Sequence, residues 1–433
     1  MQKVKKKMKI EIKPQTINPF GGVNFILDEL RSSEVIDLID EFLGGRVAQA
    51  KYSYSDIIVA LWCIFFCGGE CAEDINENLK DYFRSIPDFA VPNADTVLRI
   101  LKTLKTENET VVSSSNKKYT INVNEKLNEL NIKIMIKLEL LKPGGVYDYD
   151  FDNEVLGTEK FDSKRSYKQK NGYFPGMATL NGMPVYFENR DGNMNVKTSQ
   201  AELLERSYKL LESFGLKINR SRMDCGSYTK DVIEMVEKYS KLFYIRAMRC
   251  SSLTDILKEI DTWETIEINY KIYQVASIEY KPFGEDKTYR LVITREKTDN
   301  KQGDLFTGDT MKYRGILTND RMSSIRDVVE YYNLRGGEER VIDDLNNGFG
   351  WSKMPFSFMN ENTVFLTLQM ICKNIYTHLI RKFSKFFETL ESNFRIKKFI
   401  FRFVIVPSKW ISHSGQQILK LFTKRPYEKL ILS

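Results

Sequence analysis

Tyr147-Asp148-Tyr149-Asp150-Phe151-Asp152-Asn153-Glu154-Val155 sets an acid at every second position, with an aromatic before each of the first three. Side chains alternate faces along a strand, so Asp148, Asp150 and Asp152 share one side and the aromatics take the other. A row of acids on a core strand is costly unless it binds metal or faces solvent. Two readings follow: a metal-binding row on a core strand, or an exposed edge strand.

Downstream, 174–179 and 185–189 read as two more strands, the second ending in a turn at Arg190-Asp191-Gly192. Residues 199–214 form an amphipathic pattern through Leu203, Leu204, Leu210 and Leu211. A strand near 218–224, a helix at 229–239 and a strand at 243–247 follow. This order predicts an α/β domain with a mixed sheet. Residues 251–318 hold four strand-like runs and read as a β-rich insertion that returns to the main sheet. The pattern is helical over 322–345 and over most of the chain beyond 360.

Upstream, residues 1–105 read as mostly helical. Ser55 and Asp56 are placed to cap a helix over Ile57–Cys67, which Gly68-Gly69 breaks. Pro92-Asn93-Ala94-Asp95 starts another, with Val97, Ile100, Leu101 and Leu104 on one face and Arg99, Lys102 and Lys105 elsewhere. A DNA-reading helix-turn-helix and a solvated basic face both fit it. The polar run 106–119 reads as a linker, and a helix over 123–141 ends at Pro143-Gly144-Gly145. The predicted divisions are 1–120 (helical DNA-binding region and linker), 121–250 (first part of a catalytic core), 251–318 (insertion), 319–360 (core helix) and 361–433 (helical C-terminal region).

Composition narrows the chemistry. The 433 residues carry a net charge of +7, which permits nucleic-acid binding without requiring it. The basic stretch Lys3, Lys5, Lys6, Lys7, Lys9 lacks a following apolar core, so it is no signal peptide; it is a solvated tail or a DNA-contacting arm. The longest apolar run, Ile57–Cys67, is too short to span a bilayer. Six cysteines (63, 67, 71, 225, 250, 372) show no paired framework. A reduced intracellular protein is expected. Cys63, Cys67 and Cys71 recur every four residues, read here as helix packing rather than a metal site. With only His378 and His413, hydrolytic chemistry must run on carboxylates or on metal they hold.

Two further acids draw notice. Asp224 ends a short strand before Cys225-Gly226-Ser227, where a simple cap is the plain alternative. Glu339 ends the block Tyr332-Asn333-Leu334-Arg335-Gly336-Gly337-Glu338-Glu339. On a helix, Tyr332, Arg335 and Glu339 share a face, which also suits an ordinary ion-pair surface. Gly336-Gly337 weakens that helix by about 1 kcal/mol each, so a backbone reason for the pair is expected. Phosphoryl transfer suits such a set. Two divalent ions about 4 Å apart steady the attacking and leaving oxygens, and Mg²⁺ takes hard oxygen ligands while keeping several waters.

The order Asp152, Asp224, then Tyr-x-x-Arg-x-x-x-Glu ending at Glu339 resembles the DDE transposases of bacterial insertion sequences, more narrowly their 1380-type branch. Asp150-Phe151-Asp152-Asn153-Glu154, Lys170-Asn171-Gly172-Tyr173-Phe174-Pro175, Arg222-Met223-Asp224-Cys225-Gly226 and Asn333-Leu334-Arg335-Gly336-Gly337-Glu338-Glu339 resemble its successive motifs. The likeness runs from about residue 55 to the C-terminus. It implies an RNase H-like fold with a β-rich insertion between Asp224 and Glu339. It implies metal ligation and catalysis by Asp152, Asp224 and Glu339, with Asp150 as the alternative first ligand, and DNA contacts by Tyr332 and Arg335. Arg suits phosphate through its bidentate fork. The chain departs from the pattern at Asn346, where similar enzymes carry Lys (Lys353 is out of register), and at Glu154, where Thr is usual.

The expected activity is cut-and-paste DNA transposition. Mg²⁺, with Mn²⁺ substituting, supports cleavage at the inverted-repeat ends of the element, and the freed 3′-hydroxyl joins target DNA. The expected partners are double-stranded DNA and a second copy of the chain, in the bacterial cytoplasm at the nucleoid, without membrane or organic cofactor. The basic-aromatic segments Arg395–Phe399 and Arg402-Phe403 are either DNA contacts or snorkelling side chains. The rivals are an RNase H-like structure-specific nuclease without strand transfer and a catalytically inactive DNA-binding descendant. A purely structural protein needs no acid row.

Overall fold

The alternation at 147–152 becomes a central strand. The computed structural model describes residues 10–12, 17–47, 49–248, 251–284, 287–297 and 311–430. Lys3, Lys5, Lys6, Lys7, Lys9 and Cys250 lie outside the described residues.

The helices in chain order are α1 Val23–Ser32, α2 Val35–Leu43, α3 Tyr54–Phe66, α4 Lys80–Arg84, α5 Ala94–Leu101, α6 Glu125–Lys137, α7 Gln200–Ser213, α8 Lys230–Tyr239, α9 Ser251–Lys258, α10 Ile325–Asn333, α11 Gly337–Gly348 and α12 Met359–Phe383. A further short helix spans Ile396–Phe399. The strands are β1 Glu109–Val112, β2 Lys118–Val123, β3 Val146–Asn153, β4 Leu156–Gly157, β5 Lys164–Arg165, β6 Asn171–Tyr173, β7 Gly176–Leu180, β8 Met183–Arg190, β9 Lys217–Met223, β10 Ser240–Arg246, β11 Glu264–Ile268, β12 Lys271–Tyr280, β13 Tyr289–Lys297, β14 Met311–Thr318, β15 Ser408–His413 and β16 Gln416–Leu421.

Eleven of these form one mixed sheet in the order β1-β2-β8-β7-β3-β9-β10-β14-β13-β12-β11. Strand β3 runs parallel to β9 and β9 parallel to β10, while β7 is antiparallel to β3 and to β8. The chain grows outward from β3 in both directions. Tyr149 and Phe151 point into a core with Leu203, Leu204 and Leu211 of α7 and Val232, Ile233 and Val236 of α8. The opposite face packs Val328, Val329 and Tyr332 of α10 against Tyr244, Val275, Val292 and Ile316. The strands of 264–318 extend this same sheet through β14, which pairs with β10.

Helix α3 is buried on all sides, as its unbroken apolar run requires. It starts at Tyr54 with a capping box between Ser53 and Asp56. Ser55, expected as a cap, instead bonds Asp40 through its N–H (2.9 Å) and hydroxyl (2.6 Å). Cys63 and Cys67 are buried free thiols within this packing. Helix α12 runs beside α3, and the Trp62 indole N–H donates to the Leu368 carbonyl at 3.0 Å. One apolar core thus joins the beginning and end of the chain.

Three segments differ from their sequence reading. The expected linker at 106–119 contributes to a hairpin: β1 and β2 pair and add to the sheet edge through β8. Asn122 and Asn124 tie it down through the carbonyls of Thr106, Glu107 and Leu104, so polar composition here serves backbone pairing. The helical pattern of 322–345 is interrupted by a 3₁₀ turn at Leu334–Gly336. The C-terminal region, expected to be helical, ends in the hairpin β15–β16. Among the described residues, no helix is long and apolar enough to cross a membrane.

Trp62→Ala removes a fully buried indole and its cross-chain hydrogen bond. It should destabilise the fold by about 3–5 kcal/mol, read as a lowered urea midpoint. A loss below 1 kcal/mol would show that α3 and α12 do not depend on each other.

Candidate functional site

The acid row of β3 lies on the α10 side of the sheet, and β9 carries Arg220 and Arg222 at the same alternation, with Asp224 directly after its end. The parallel register places Asp148 beside Arg220 and Asp150 beside Arg222. Each pair is bidentate. Arg220 reaches Asp148 at 2.9 and 2.5 Å, and Arg222 reaches Asp150 at 2.6 and 2.7 Å. The third Arg222 nitrogen donates to the Tyr331 carbonyl at 2.6 Å, and the Tyr331 ring stacks against both guanidinium groups. The row is therefore neither an exposed edge nor a bare metal row. Its first two acids are neutralised by the neighbouring strand, a solution legible in the spacing of Arg220 and Arg222. Asp150, the alternative first ligand, has both oxygens committed to Arg222.

One residue further along, Phe151 lies opposite Met223, so Asp152 and Asp224 come next on the two strands. Here acid stands beside acid. Burial and the Asp224 charge push the Asp152 carboxyl up to about 6, with Arg335 pulling against them. Asp152 accepts from the Asn153 N–H at 3.0 Å and from Arg335 at 3.0 Å. Asp224 also acts as the cap that was its plainer reading, accepting from the Gly226 N–H at 2.9 Å.

Helix α10 delivers Tyr332 and Arg335 to this end of the sheet. Its start is set by a capping box between Ser324 and Asp327. Tyr332 was expected on DNA. It is 4% exposed, and its hydroxyl donates to the Met223 carbonyl at 3.0 Å. The Arg246 guanidinium lies over its ring. Tyr332 thus locks α10 onto the last residue of β9, just before Asp224, and its hydroxyl is spent there. Arg335 sits at the site as expected, but bonded to Asp152.

Glu339 is not brought onto the aspartates. It is exposed on the first turn of α11, with no hydrogen bond or ion pair among the described residues. Likewise, among the described residues no three potential metal ligands converge. The 3₁₀ turn at Leu334–Gly336, which carries Arg335, breaks the face that regular helical spacing predicts. Gly336 and Gly337 have ordinary helical dihedrals and open space where a Cβ would stand, so neither backbone strain nor crowding explains the pair. Asn346 lies near the far end of α11, lining with Lys353, Gly68, Gly69 and Lys397 a separate cleft of about 240 Å³.

Of the basic residues expected to face DNA around α5, Lys102 and Lys105 lie just past its end, 3.2 and 3.7 Å from the buried Glu361 carboxylate. Both ammonium groups are thus paired within the protein while their side chains stay exposed.

A carboxyl whose folded pKa lies above its unfolded value binds its proton more tightly when folded. The stability it contributes is present at low pH and lost as pH rises from about 4 to about 6. Asp152→Asn should therefore leave stability near wild type at pH 4 and raise it by roughly 2–3 kcal/mol at pH 7.5. Burial raises the Asp150 carboxyl as well, against the pull of Arg222, but Asp150→Asn also gives up both bonds to buried Arg222 and should cost about 3–5 kcal/mol by stranding it. Urea midpoints of both variants at the two pH values test this; shifts of the same sign at pH 7.5 would refute the contrast.

The family model described as transposase DDE domain group 1 matches residues 3–433 of the chain. No curated protein matches it.

Proposed function

Because the chain belongs to the transposase DDE domain family, with DNA as its substrate, we propose that it excises and reinserts its own element. It binds the terminal inverted repeats, cuts at the element boundary and joins the freed 3′-hydroxyl to target DNA. The observation that carries this reading is the one acid-beside-acid step of the β3–β9 ladder, Asp152 next to Asp224. Two adjoining carboxylates, one of them largely desolvated, fit a hard divalent ion such as Mg²⁺ or Mn²⁺. When bound, that ion would supply positive charge to the attacking and leaving oxygens of a phosphodiester.

The strand order β8-β7-β3-β9-β10, with β7 alone running against the rest, supports an RNase H-like core. On this reading 251–318 is an insertion whose strands prolong the core sheet. Arg335 is the phosphate contact: leaving Asp152, its fork can take a DNA phosphate bidentately. Tyr332 holds the helix that carries it. Glu339 is the third ligand, one turn beyond Arg335 on a solvent-facing helix start. In the reaction water attacks the phosphodiester and releases a 3′-hydroxyl. That hydroxyl attacks a target phosphodiester and displaces a target 3′-hydroxyl, so no covalent enzyme intermediate is needed. Two copies of the chain hold the two ends, and the DNA substrate places the protein at the nucleoid of the bacterial cytoplasm.

A second reading, a DNA-binding descendant that no longer cuts, draws on the exposure of Glu339 away from the aspartates. Cleavage of DNA carrying the element's ends decides between them. Wild type with Mg²⁺ should cut at the boundary and EDTA should stop it. Asp152→Asn, Asp224→Asn and Glu339→Gln should each lower cutting by more than the roughly 100-fold that losing an outer partner of a metal ligand costs, with end binding retained. Wild type that binds ends and never cuts would establish the second reading. Retained cutting by Glu339→Gln would remove that residue from the site. Since a protonated Asp152 cannot hold a cation, the affinity of the free protein for Mn²⁺ should fall as pH drops through about 6.

A further inference from the structure

Behind the two aspartates, on the opposite face of the sheet, lies a polar cluster that the DDE pattern does not include. Asn153 follows Asp152 and, by strand alternation, turns its side chain toward α7. Ser227 closes the 3₁₀ turn that Asp224 caps. Gln200, the first residue of α7, reaches both. Its amide nitrogen donates to the Asn153 side-chain oxygen at 3.2 Å and to the Ser227 hydroxyl at 3.3 Å.

We propose that Gln200 is a positioning residue that ties the Asp152 end of β3 to the Asp224 turn and so sets the spacing of the two carboxylates. Gln200 and Ser227 are each 1% exposed, so neither can exchange these bonds for bulk water without opening the core. The amide is itself held. Its oxygen accepts from Arg190 at 3.3 Å, and the other Arg190 nitrogen donates to the Thr198 and Ser199 carbonyls at 2.6 and 3.0 Å. Arg190 is fully buried. Its guanidinium lies 3.4 Å from Glu188, whose second oxygen Arg206 takes at 2.6 Å. Asn153 is fixed from its other side by donating to the Pro175 carbonyl at 3.3 Å. Gly176 sits opposite on β7, where a Cβ would come within 2.7 Å of Leu203 of α7, so the helix packs closely here. Two like-charged carboxylates repel, and on the α10 face Arg335 hydrogen-bonds Asp152 and, among the described residues, not Asp224. The tie through Gln200 opposes their separation from behind.

The inference takes the metal's role from the transposase reading, while the position of Gln200 is independent of it. The test is Mn²⁺ affinity of the full chain without DNA, read from the electron-spin signal of free Mn²⁺. Gln200→Met keeps length and loses the donors, and should raise the Mn²⁺ dissociation constant by about tenfold. Ser227→Ala cuts only the Asp224 half of the tie and should raise it by a smaller factor than Gln200→Met, but measurably above the Ser207→Ala control. It decides the matter if Gln200→Met does not fold. Ser207→Ala is the control. It lies equally deep on α7 and loses a buried bond from Tyr149 in mid-β3 (3.1 Å), but bonds neither the Asp152–Asn153 end of that strand nor the Asp224 turn, so its Mn²⁺ affinity should stay within about twofold of wild type. Wild-type affinity in Gln200→Met and Ser227→Ala overturns the proposal, as does equal weakening in Ser207→Ala, which would mean general loosening. A wild type that binds no Mn²⁺ overturns it too. A wild type that binds Mn²⁺ and never cuts DNA sinks the transposase reading and leaves the tie standing.

Discussion

The ion pair between Arg222 and Asp150 is the contact on which the rest of the site depends. Removing two charges from water is expensive, and their attraction repays it only when the remaining hydrogen-bonding groups are also satisfied. Here both Asp150 oxygens are taken, and the remaining Arg222 terminal nitrogen is spent on the Tyr331 carbonyl. That single guanidinium therefore joins β3, β9 and α10. A slip of one residue between the strands would turn every acid away from its arginine, so the pair also fixes the register that sets Asp152 beside Asp224.

Charge along the ladder changes character at that point. Two steps of opposite charge are followed by one of like charge, at the carboxyl ends of two parallel strands. Strand β3 is also where the sheet order reverses, with β7 and β8 to one side and β9 and β10 to the other. Ligands of open α/β sheets favour such a crevice. Arg335 offsets part of the negative charge on one face, while Asn153, Gln200 and Ser227 constrain it from the other. The site is thus a defect in a neutral ladder, held in place by its neighbours.

The terminal regions stabilise this arrangement from outside. Helices α3 and α12, far apart in sequence, share a core with the N-terminal helices. The ends of the chain also meet as backbone, Asn18 pairing with Ser408 and Phe20 with Val406. Helix α6 bridges core and sheet: Asn128 exchanges hydrogen bonds with the Phe187 backbone of β8, and Asn131 donates to the Pro184 carbonyl. Buried amides thus set where the helical layer meets the strands, something apolar contact alone specifies loosely.

Much of this was legible in the sequence, because it rests on local periodicity. Alternation at 147–152 determined that three acids share a strand face, and unbroken apolarity at 57–67 determined a helix buried on all sides. The strand and helix order after residue 146 determined a mixed α/β sheet. The motif order determined the family. Other features depend on partners distant in the chain, and only the tertiary structure decided them. Asp150 and Asp152 have the same spacing and neighbours of the same kind, yet one meets Arg222 and the other Asp224, because register between strands some 70 residues apart assigns their partners. Tyr332 and Arg335 sit one turn apart, yet one is buried under Arg246 and the other reaches Asp152. Glu339 falls on their face by helical spacing, but the 3₁₀ turn at Leu334–Gly336 moves it off. Gln200 carries no local signal at all, since its importance comes from what packs behind the sheet. Periodicity reports which face a residue takes; only the fold decides what it meets there.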